Sequence, residues 1–434
     1  MAKFADEINL AEYHSQFQGE PFPYFQPIVS MEDRKVIGYE VLARGFNTLG
    51  KVATLGPLFQ EYDNAVKLKK LDHFVREEAC KKFAESGLAN DRKLFVNVMP
   101  QWLDSEDGVE INEELNLLEQ ICDYYKIPAQ SLVLEITEGE FSNAPQKMTA
   151  VANQLKAAGF NIALDDFGAG FSNMSRIGQL EPKYIKLDLN LIRRGFSESL
   201  YKEILNSMSY LSDKIGAILL VEGIEKQEEL YGAMDIGARY IQGFFVGYPD
   251  ENFQNQPIRE GDLNEYLKDF RKHKIEHMRG LLSFQSMLAD FFSTNLLERF
   301  KPVQKGDDWH LETNNIGDLP GFWRHQLRMI YFMNFDGVQV SANYVSNSDG
   351  SFTKDSSFIG KDWSWRPYFL EFMAKKTVYG QDLSYSEPYR DIRIDETMVT
   401  MIYNYDNEVI LCMDLEIADL TDPLWHKKLT VKSA

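Results

Sequence analysis

Cysteines, long apolar runs and basic residues are all scarce in this sequence. The 434 residues include three cysteines (Cys80, Cys122 and Cys412), whose spacing suggests no disulfide framework and favours a reducing compartment. No run of about 18 apolar residues occurs, so no membrane-spanning helix is expected. The first ten residues lack the basic and apolar segments of a secretory signal. We therefore expect a cytoplasmic protein.

Acidic residues outnumber basic residues by 66 to 46, which gives a formal net charge of −20. A surface with this charge repels nucleic-acid polymers and anionic membranes, so neither is expected as the main partner. A small phosphorylated ligand remains compatible with the charge, because bound cations invert the local field.

Residues 20–250 alternate β-rich runs with amphipathic stretches. The strand candidates are PYFQPIVS, VIGYEVLAR, KLFVNVMP, SLVLEITE, FNIALDDFG, YIKLDL, GAILLVEG and RYIQGFFVG. Eight strands with helices between most of them, over about 230 residues, predict an α/β fold of the (β/α)₈ barrel class. Only residues 31–35 separate the first two strands, too few for a crossover helix. This pair is therefore predicted to be antiparallel, which modifies the start of the barrel.

A helix and a second, smaller domain are predicted after the barrel. Residues 262–300 carry apolar side chains at helical spacing with few helix breakers. From about residue 325 the sequence is β-rich and aromatic, with hairpin signals at Asp336-Gly337 and at residues 405–407. This part is predicted to be a small antiparallel sheet with a helix, an α+β domain. The predicted boundaries are 1–255 for the barrel, 256–305 for a helical linker and 306–434 for the C-terminal domain.

The alternation of side chains along each strand decides which residues point into the barrel. In SLVLEITE, for example, Leu132, Leu134 and Ile136 share the face that suits the helix layer, and Glu135 and Thr137 share the other. Polar groups recur at a similar level on nearly every strand: Glu40, Asn97, Glu135, Asp165, Asp166, Lys186, Glu222 and Gln242. In barrels of this class that level is the C-terminal rim, where active sites lie.

The chemistry of this set predicts a metal site. Packed carboxylates raise each other's pKa and repel, and a hard divalent cation relieves the repulsion. Oxygen ligands suit Mg²⁺ or Mn²⁺ rather than zinc. The adjacent Asp165 and Asp166 can offer oxygens to two ions, an arrangement that activates water for in-line displacement. Lys186 is then a candidate to hold that water, and Arg44 to bind a phosphate through two hydrogen bonds.

Each of these residues alone has a simpler structural interpretation. A single acid at a strand end is more often a helix N-cap or a surface group. A buried lysine such as Lys186 is usually a salt-bridge partner. The prediction of a metal site depends on the joint occurrence of these residues, which chance placement does not readily produce.

The ordered motifs of residues 20–250 resemble those of the EAL family of cyclic di-GMP phosphodiesterases. The family's Glu-Ala-Leu signature stands here as Glu40-Val41-Leu42, followed by Ala43-Arg44. The motifs FVNV, LEITE, DDFGAGFSN, YIKLD, VEGIE and QGFFVGYP follow in family order. The resemblance implies metal-dependent hydrolysis of cyclic di-GMP to linear pGpG by a modified barrel whose first strand pair is antiparallel.

The same resemblance assigns roles to individual residues. The residues that match metal ligands or their surroundings are Glu40, Asn97, Glu135, Asp165, Asp166, Glu222 and Glu225. The residues that match catalytic groups are Lys186, which assists the attacking water, and Glu40, Asp166 and Glu222. The residues that match substrate contacts are Arg44, Leu42, Gln26, Asp188 and Gln242. Glu138, with Thr137, matches the group that stabilises the loop of residues 167–172, which is implicated in metal binding and dimerisation. One or two Mg²⁺ or Mn²⁺ ions per site and a homodimer are thereby implied.

Three positions depart from the family pattern. Val41 replaces an alanine, and its parity aims it at the helix layer, so no effect is expected. Ala169 stands where the loop usually has threonine, which is expected to loosen the loop and slow turnover. Tyr248 stands where a basic residue usually precedes the final proline, which is expected to weaken a contact at the rim.

The C-terminal segment GKDWSWRPYFLEF, followed by LSYSEPYRD, resembles the Cache and PAS-like sensor class. The residues that match a ligand pocket are Asp362, Arg366, Tyr368 and Tyr389. An arginine among aromatic walls suits a small carboxylate-bearing ligand, and a packed aromatic core with one satisfied arginine is the alternative. A barrel of the EAL family joined by a helix to a PAS-like domain is the YkuI-type architecture.

The sequence is compatible with three functions from different classes. The leading hypothesis is a Mg²⁺- or Mn²⁺-dependent phosphodiesterase gated by a C-terminal sensor that binds an unknown small ligand. The first alternative is a cyclic di-GMP receptor without efficient turnover, because Ala169 and Tyr248 depart from the family pattern. The second is a scaffold whose barrel serves as an interaction surface. The sequence has no GGDEF motif, so synthesis of the nucleotide is not expected.

Overall fold

The chain divides into two compact units, Met1–Phe270 and Arg271–Ala434. The computed structural model describes residues 4–5, 7–61, 64–98, 109–137, 145–168, 174–256, 258, 261–291, 300–306, 308–313, 326–347, 349, 351–391 and 396–416. Within these ranges, no helix is long and apolar enough to cross a membrane.

Strands and helices alternate through the first unit. Its strands are β1 (Phe17–Ser30), β2 (Lys35–Asn47), β3 (Val52–Thr54), β4 (Lys93–Asn97), β5 (Leu132–Thr137), β6 (Asn161–Phe167), β7 (Tyr184–Leu187), β8 (Ile218–Val221) and β9 (Tyr240–Gln242). Its helices are α1 (Gly56–Glu61), α2 (Ala65–Glu85), α3 (Val109–Tyr125), α4 (Pro145–Ala157), α5 (Met174–Leu180), α6 (Leu189–Ser197), α7 (Ser199–Ile215) and α8 (Gln227–Asp235). All eight strands predicted from the sequence are present.

Eight of these strands close into a barrel. The order is β1-β9-β8-β7-β6-β5-β4-β2, and pairing between β1 and β2 completes the ring, with β3 added outside β2. The pairs from β2–β4 through β8–β9 are parallel, whereas β1 is antiparallel to both of its neighbours. The predicted modified barrel with an antiparallel first pair is therefore confirmed.

Strand parity separates the core into two layers. The outward set predicted on β5, Leu132, Leu134 and Ile136, packs in the large cluster shared with the helices. A smaller cluster fills the interior and consists of Ile28, Ile37, Phe95, Val133, Ala163, Tyr184 and Leu220. On β4 to β8, each interior residue stands two positions before a polar residue of the predicted site, as Val133 does before Glu135. Apolar side chains thus form a floor directly beneath the polar level.

Helix α9 (Leu263–Phe291) follows the barrel. Leu263, at its first residue, is buried in the core of the first unit. Within residues 256–305, the stretch predicted as a helical linker, residues Phe300–Lys305 form a strand. The prediction that the helical linker extends to residue 305 was wrong, because Phe300 is fully buried in the sheet core of the second unit. The domain boundaries themselves stay predictions.

Besides residues 271–291 of α9, the described part of the second unit contains an antiparallel sheet and one further long helix. The elements are β10 (Phe300–Lys305), β11 (Asp308–Thr313), β12 (Leu327–Met333), β13 (Asn343–Ser346), β14 (Phe352–Asp355), α10 (Pro367–Tyr379), β15 (Leu383–Tyr385), β16 (Tyr389–Arg390), β17 (Thr397–Asn404) and β18 (Ile410–Glu416). The main sheet has the order β14-β13-β12-β18-β17-β15, with β16 on β17, and β10 pairs with β11. Helix α10 packs Phe369 and Phe372 onto one face of this sheet. The predicted small α+β domain is confirmed.

Turns of this unit follow the hairpin signals in the sequence. Residues 405–409 connect β17 to β18, whose ladder begins at Asn404 and Ile410. Gly337 ends the turn after β12 and has a φ of 83°, and a Cβ there would lie 2.6 Å from Cα of Ser364. Glycine is therefore required at this position by both conformation and space.

Candidate functional site

The carboxyl ends of the barrel strands bring the predicted polar residues together. Strand pairing sets Asn97 beside Glu135 and Thr137 beside Asp165. Lys186 lies near the end of β7, Glu222 follows the last residue of β8, and Gln242 ends β9. Because neighbouring parallel strands end at one rim, these side chains lie in one layer at the mouth of the barrel.

Lys186 is the centre of this layer. Its side chain is fully buried, and its Nζ lies 2.8 Å from Oε1 of Glu135 and 2.8 Å from Oδ1 of Asp165. The same ammonium lies 3.1 Å from Oε2 of Glu222 and 3.7 Å from Oε2 of Glu40. One cation therefore faces four carboxylates.

The charges of this cluster shift the pKa values of its members. Burial by itself lowers the pKa of Lys186, but the carboxylates of Asp165, Glu135, Glu222 and Glu40 together raise it well above its ordinary value. Burial, opposed by Lys186, raises the pKa of Glu135 well above its usual range. Burial also raises the pKa of Glu222 to about 8, with Lys186 again opposing the shift. The cluster thus favours the protonated form of Lys186, and Glu135 and Glu222 keep their protons to a higher pH than an exposed glutamate does.

Asp165, Asp166 and Glu222 form the subset best placed for a cation. One carboxylate oxygen from each lies within 4.8 Å of those of the other two. The register between β6 and β7 shifts between Leu164 and Phe167, and Asp166 adopts a φ of 53° in the left-handed region. Because of this irregularity, the consecutive carboxylates of Asp165 and Asp166 both lie at the same rim, which the ordinary alternation of side chains along a strand would prevent. Burial and the neighbouring Asp165 raise the pKa of Asp166 to about 6.

The donor atoms fit a hard divalent ion. Oδ1 of Asp165 and Oε1 of Glu135 are buried, and each lies 2.8 Å from Nζ of Lys186. Carboxylate oxygens crowded in this way are the ligands that Mg²⁺ and Mn²⁺ prefer.

A chain of buried amides orients Glu40. The Nε2 group of Gln242 donates to Oε2 of Glu40 and, at 3.1 Å, to Oε1 of Gln26. Gln26 in turn donates to the carbonyl oxygen of Gly247 at 3.1 Å. Gln26 and Gln242 were predicted as substrate contacts, and the structure brings both of them to the edge of the carboxylate cluster.

Arg44 lies on β2 beyond Glu40. Its Nη1 donates to the carbonyl oxygen of Ala43 at 2.9 Å and to Oγ1 of Thr54 at 3.3 Å. Burial lowers its pKa, and the carboxylate of Glu40 opposes this shift. The guanidinium also lies 6.0 Å from the ring centroid of Tyr24. Leu42, which is half-buried, pairs with Tyr24 across the β1–β2 ladder.

Other predicted site residues have local partners. Asn97 is exposed and donates to Oε2 of Glu135 at 3.3 Å. Asp188 caps helix α6 by accepting from the amide of Asn190 at 2.7 Å. Glu225 lies outside the group of Asp165, Asp166 and Glu222, and its carboxylate pairs with Arg193 at 3.2 Å.

The remaining predictions concern the loop after β6 and the positions that depart from the family pattern. Oγ1 of Thr137 is buried without a hydrogen-bond partner among the described residues. Glu138 and Ala169 lie outside the described residues. Val41 is buried in the outer core, as its parity predicted. Tyr248 is half-exposed, and its ring centroid lies 5.0 Å from that of Phe244.

The second unit contains a cavity of about 590 Å³ between α10 and the main sheet. Three of the four predicted pocket residues, Arg366, Tyr368 and Tyr389, line it. Asp362 does not, because its carboxylate instead closes a turn by accepting from the amide of Ser364 at 2.8 Å. Nε of Arg366 is buried and has no hydrogen-bond partner among the described residues.

A short hydrogen-bonded series of side chains also lines this cavity. The hydroxyl groups of Tyr389 and Thr400 lie 3.0 Å apart, and Thr400 donates to Oδ1 of the buried Asp414 at 2.7 Å. Asp414 and Thr400 both line the cavity, and neither could be predicted from the sequence because they lie on strands far from the motif. The cavity therefore has polar groups of both signs within mostly apolar walls.

Comparisons with known proteins cover both units. The EAL domain family model matches residues 13–249, and a model described as an EAL-domain associated signalling protein domain matches residues 256–422. An uncharacterized EAL-domain containing protein of Bacillus subtilis, YkuI, is 28% identical over 401 residues, which are 91% of this chain and 93% of that protein. The crystal structure of that protein, in complex with c-di-GMP and calcium, matches with a TM-score of 0.80 and covers 92% of this chain and 97% of that chain.

Two further relatives match the first unit. The cyclic di-GMP phosphodiesterase RocR of Pseudomonas aeruginosa is 28% identical over 240 residues, which are 53% of this chain and 58% of that protein. The probable cyclic di-GMP phosphodiesterase PdeA of Escherichia coli is 30% identical over 241 residues, which are 54% of this chain and 31% of that protein. The chain therefore spans less than two thirds of each of these two relatives.

Proposed function

The chain belongs to the EAL domain family, and on this premise we propose that its barrel hydrolyses cyclic di-GMP to linear pGpG. The observation that carries the proposal is the arrangement around Lys186, where one buried ammonium faces the carboxylates of Glu40, Glu135, Asp165 and Glu222. The relatives RocR, a cyclic di-GMP phosphodiesterase, and PdeA, a probable cyclic di-GMP phosphodiesterase, support the same reaction.

The residues that would hold Mg²⁺ or Mn²⁺ are Asp165, Asp166 and Glu222, with Glu40, Glu135 and Asn97 beside them. Such an ion supplies Lewis-acid stabilisation of the phosphate and a water of lowered pKa. In the reaction, the water oxygen forms a bond to phosphorus, the bond between phosphorus and the 3′ oxygen breaks, and that oxygen takes up a proton. The phosphate then remains on the 5′ side of the linear product.

The protein's own groups contribute positioning and charge. Lys186 lies within hydrogen-bond distance of Glu135, Asp165 and Glu222, and from this position its ammonium would donate a hydrogen bond that orients the attacking water. Gln242 donates to Oε2 of Glu40, the oxygen that also faces Lys186, and thereby orients this carboxylate at the site. Arg44 supplies positive charge beyond the carboxylates, where a phosphate oxygen of the substrate would meet it.

A receptor that binds cyclic di-GMP with little turnover is the second candidate. The direct pairing of Lys186 with Glu135 and Asp165, two carboxylates of the metal site, favours it. A cation within the ligand set competes with a bound ion for the same oxygens, which weakens metal binding. Tyr248, which stands where the family usually has a basic residue, also favours the receptor.

One assay separates the enzyme from the receptor. Purified protein is incubated with cyclic di-GMP and either Mn²⁺ or Mg²⁺, and pGpG is measured by chromatography. We expect product with the wild type and none with Glu40→Ala or Lys186→Ala. Lys156→Ala is the matched control, because Lys156 forms a surface pair with Glu181 at 2.9 Å. Tight binding of cyclic di-GMP without product in either metal would contradict the enzymatic proposal and support the receptor, and absence of binding would support the scaffold.

We further propose that a small carboxylate-bearing molecule in the C-terminal cavity regulates the barrel. The unpartnered Nε of Arg366 and the aromatic lining support this role. An Arg366→Ala variant is expected to keep basal hydrolysis and to lose the response to any carboxylate that shifts the wild-type melting temperature. A response that survives in Arg366→Ala would argue against this cavity.

The homodimer and the cytoplasmic location also remain proposals. Light scattering of the purified chain across a range of concentrations tests the first, and fractionation of producing cells tests the second. A monomer at all concentrations would contradict the homodimer.

A further inference from the structure

The hairpin of β1 and β2 extends past the carboxylate layer. Strand β2 pairs with β4 only as far as Glu40, whereas its pairing with β1 continues to Asn47. Gln26 lies opposite Glu40, Tyr24 opposite Leu42, and Phe22 opposite Arg44. Beyond the rim, the two strands thus form a ribbon that begins at the catalytic layer.

One face of this ribbon continues the face that carries the site. By alternation, Tyr24 and Phe22 share the side of Gln26, and Leu42, Arg44 and Phe46 share the side of Glu40. On the other face, Pro21, Pro23 and Phe25 are buried. The ribbon therefore presents its aromatic rings on the same side as the polar cluster, while its reverse side packs on the protein.

The rings of Phe22, Tyr24 and Phe46, the aromatic ribbon, are contiguous. The centroid of Phe22 lies 5.6 Å from that of Tyr24 and 4.9 Å from that of Phe46. Phe22 and Tyr24 are half-buried, and Phe46 is 42% exposed. The guanidinium of Arg44 lies beside Tyr24. The ring planes are tilted by 50° between Phe22 and Tyr24 and by 45° between Phe22 and Phe46. Partly exposed aromatic rings with one cation at their edge are suited to a planar base that is attached to a phosphate.

We propose that the aromatic ribbon stacks one guanine base of cyclic di-GMP and sets the preference of the site for purine-bearing diesters. This inference depends on the proposed function, because the same ligand must reach the carboxylate layer. A phosphate oxygen on Arg44 places the attached nucleoside beyond the rim, next to Tyr24. Base–aromatic stacking then adds affinity that the metal and the charged residues do not provide.

The test compares two cyclic dinucleotides that share a backbone and differ in their bases. Dissociation constants for cyclic di-GMP and cyclic di-UMP are measured by calorimetry in Ca²⁺, the ion of the YkuI complex, for the full chain and its variants. The variants are Tyr24→Leu and Phe46→Leu, which keep apolar volume and remove the ring. Tyr24→Phe keeps the ring, and Tyr210→Leu removes a 65% exposed ring from helix α7 as a matched control.

We expect Tyr24→Leu and Phe46→Leu each to weaken binding of cyclic di-GMP by about 5- to 100-fold. Binding of cyclic di-UMP should weaken much less, since pyrimidines have a smaller stacking surface. Tyr24→Phe and Tyr210→Leu should bind both ligands as the wild type does, and the affinity for Mn²⁺ and the melting temperature should not change.

Three results would overturn the inference, and they differ in what they mean for the proposed function. If the wild type binds cyclic di-GMP and the ring-removing variants bind it equally well, the rings serve only to pack the hairpin, and the proposed function stands. Equal losses for both dinucleotides would likewise assign the ribbon no role in selecting the base. If the wild type binds no cyclic di-GMP, the proposed function fails together with the ribbon.

Discussion

Nζ of Lys186 lies 2.8 Å from Oδ1 of Asp165, at the centre of the carboxylates that belong to the proposed metal site. Glu135 approaches the same ammonium at 2.8 Å and Glu222 at 3.1 Å. This lysine therefore neutralises part of the charge that a divalent ion would neutralise. Stability, metal affinity and catalysis at this site are linked through it.

Replacement of Lys186 by methionine is expected to destabilise the metal-free protein by about 3–5 kcal/mol, because four carboxylates, three of them buried, lose their counter-charge. Addition of Mn²⁺ should restore much of this loss, since ligand binding to the folded state raises its stability. Urea denaturation with chelator and with Mn²⁺ measures both effects. Lys156→Met, at a surface pair, should cost about 0–1 kcal/mol in either condition. A Lys186→Met variant that Mn²⁺ does not stabilise more than the wild type would contradict this prediction.

The affinity for Mn²⁺ is expected to rise with pH between about 6 and 8.5. Burial raises the pKa of Glu222 to about 8 and that of Asp166 to about 6, so protons must leave before these oxygens bind metal. Below each pKa, the affinity should fall by about tenfold per pH unit for each proton displaced. Titration by electron paramagnetic resonance at several pH values measures this slope. Glu222→Gln should bind more weakly and show a smaller slope, and a wild-type affinity independent of pH would argue against the assignment of Glu222.

Gln242→Leu is expected to lower turnover of cyclic di-GMP by about 10- to 100-fold, because Glu40 loses the amide that orients it. The melting temperature should change little in comparison. Gln227→Leu provides the control, because the exposed Gln227 donates to the hydroxyl group of Tyr231 at 2.8 Å on helix α8, away from Glu40. Steady-state kinetics with Mn²⁺ measures the effect. Wild-type turnover in Gln242→Leu would show that Glu40 is held by other contacts.

Gly337→Ala is expected to destabilise the second unit by more than about 1 kcal/mol, since the new Cβ would meet the backbone of Ser364 and the φ of 83° disfavours alanine. Gly360→Ala is the matched control. Its φ of 82° is similar, but open space surrounds the position of the new Cβ. Hydrogen exchange in β12 and α10 compares the two variants. Equal protection in both would show that the close approach to Ser364 adds nothing to the cost of the backbone conformation.

The sequence predicted the barrel and much of its site because alternation along strands is a local property. Glu40, Glu135, Asp165 and Lys186 each lie on a strand, so parity alone aimed them inward. Which carboxylates touch the lysine depends on register between strands that are far apart in sequence. That information resides in the packing of the barrel, and no sequence pattern expresses it.

Residues that follow strands were harder to place from the sequence. Glu225 and Asp362 lie in loops, where side-chain direction follows local turns rather than alternation. Glu225 pairs with Arg193, and Asp362 accepts from the amide of Ser364. The aromatic ribbon was missed for another reason, because Phe22 and Phe46 lie outside the family motifs although strand parity applies to them equally.

The antiparallel strand β1 has a consequence for the synthesis of the protein. Ile28 pairs with Gln242, so the first strand of the barrel hydrogen-bonds to the last. During translation, β1 leaves the ribosome about 200 residues before this partner, which corresponds to about 10–40 s at ordinary elongation rates. Throughout that interval, β1 has one edge without its final neighbour. The ring closes only after nearly the whole first unit has been made, so chaperones that shield strand edges are expected to act on the nascent chain before closure.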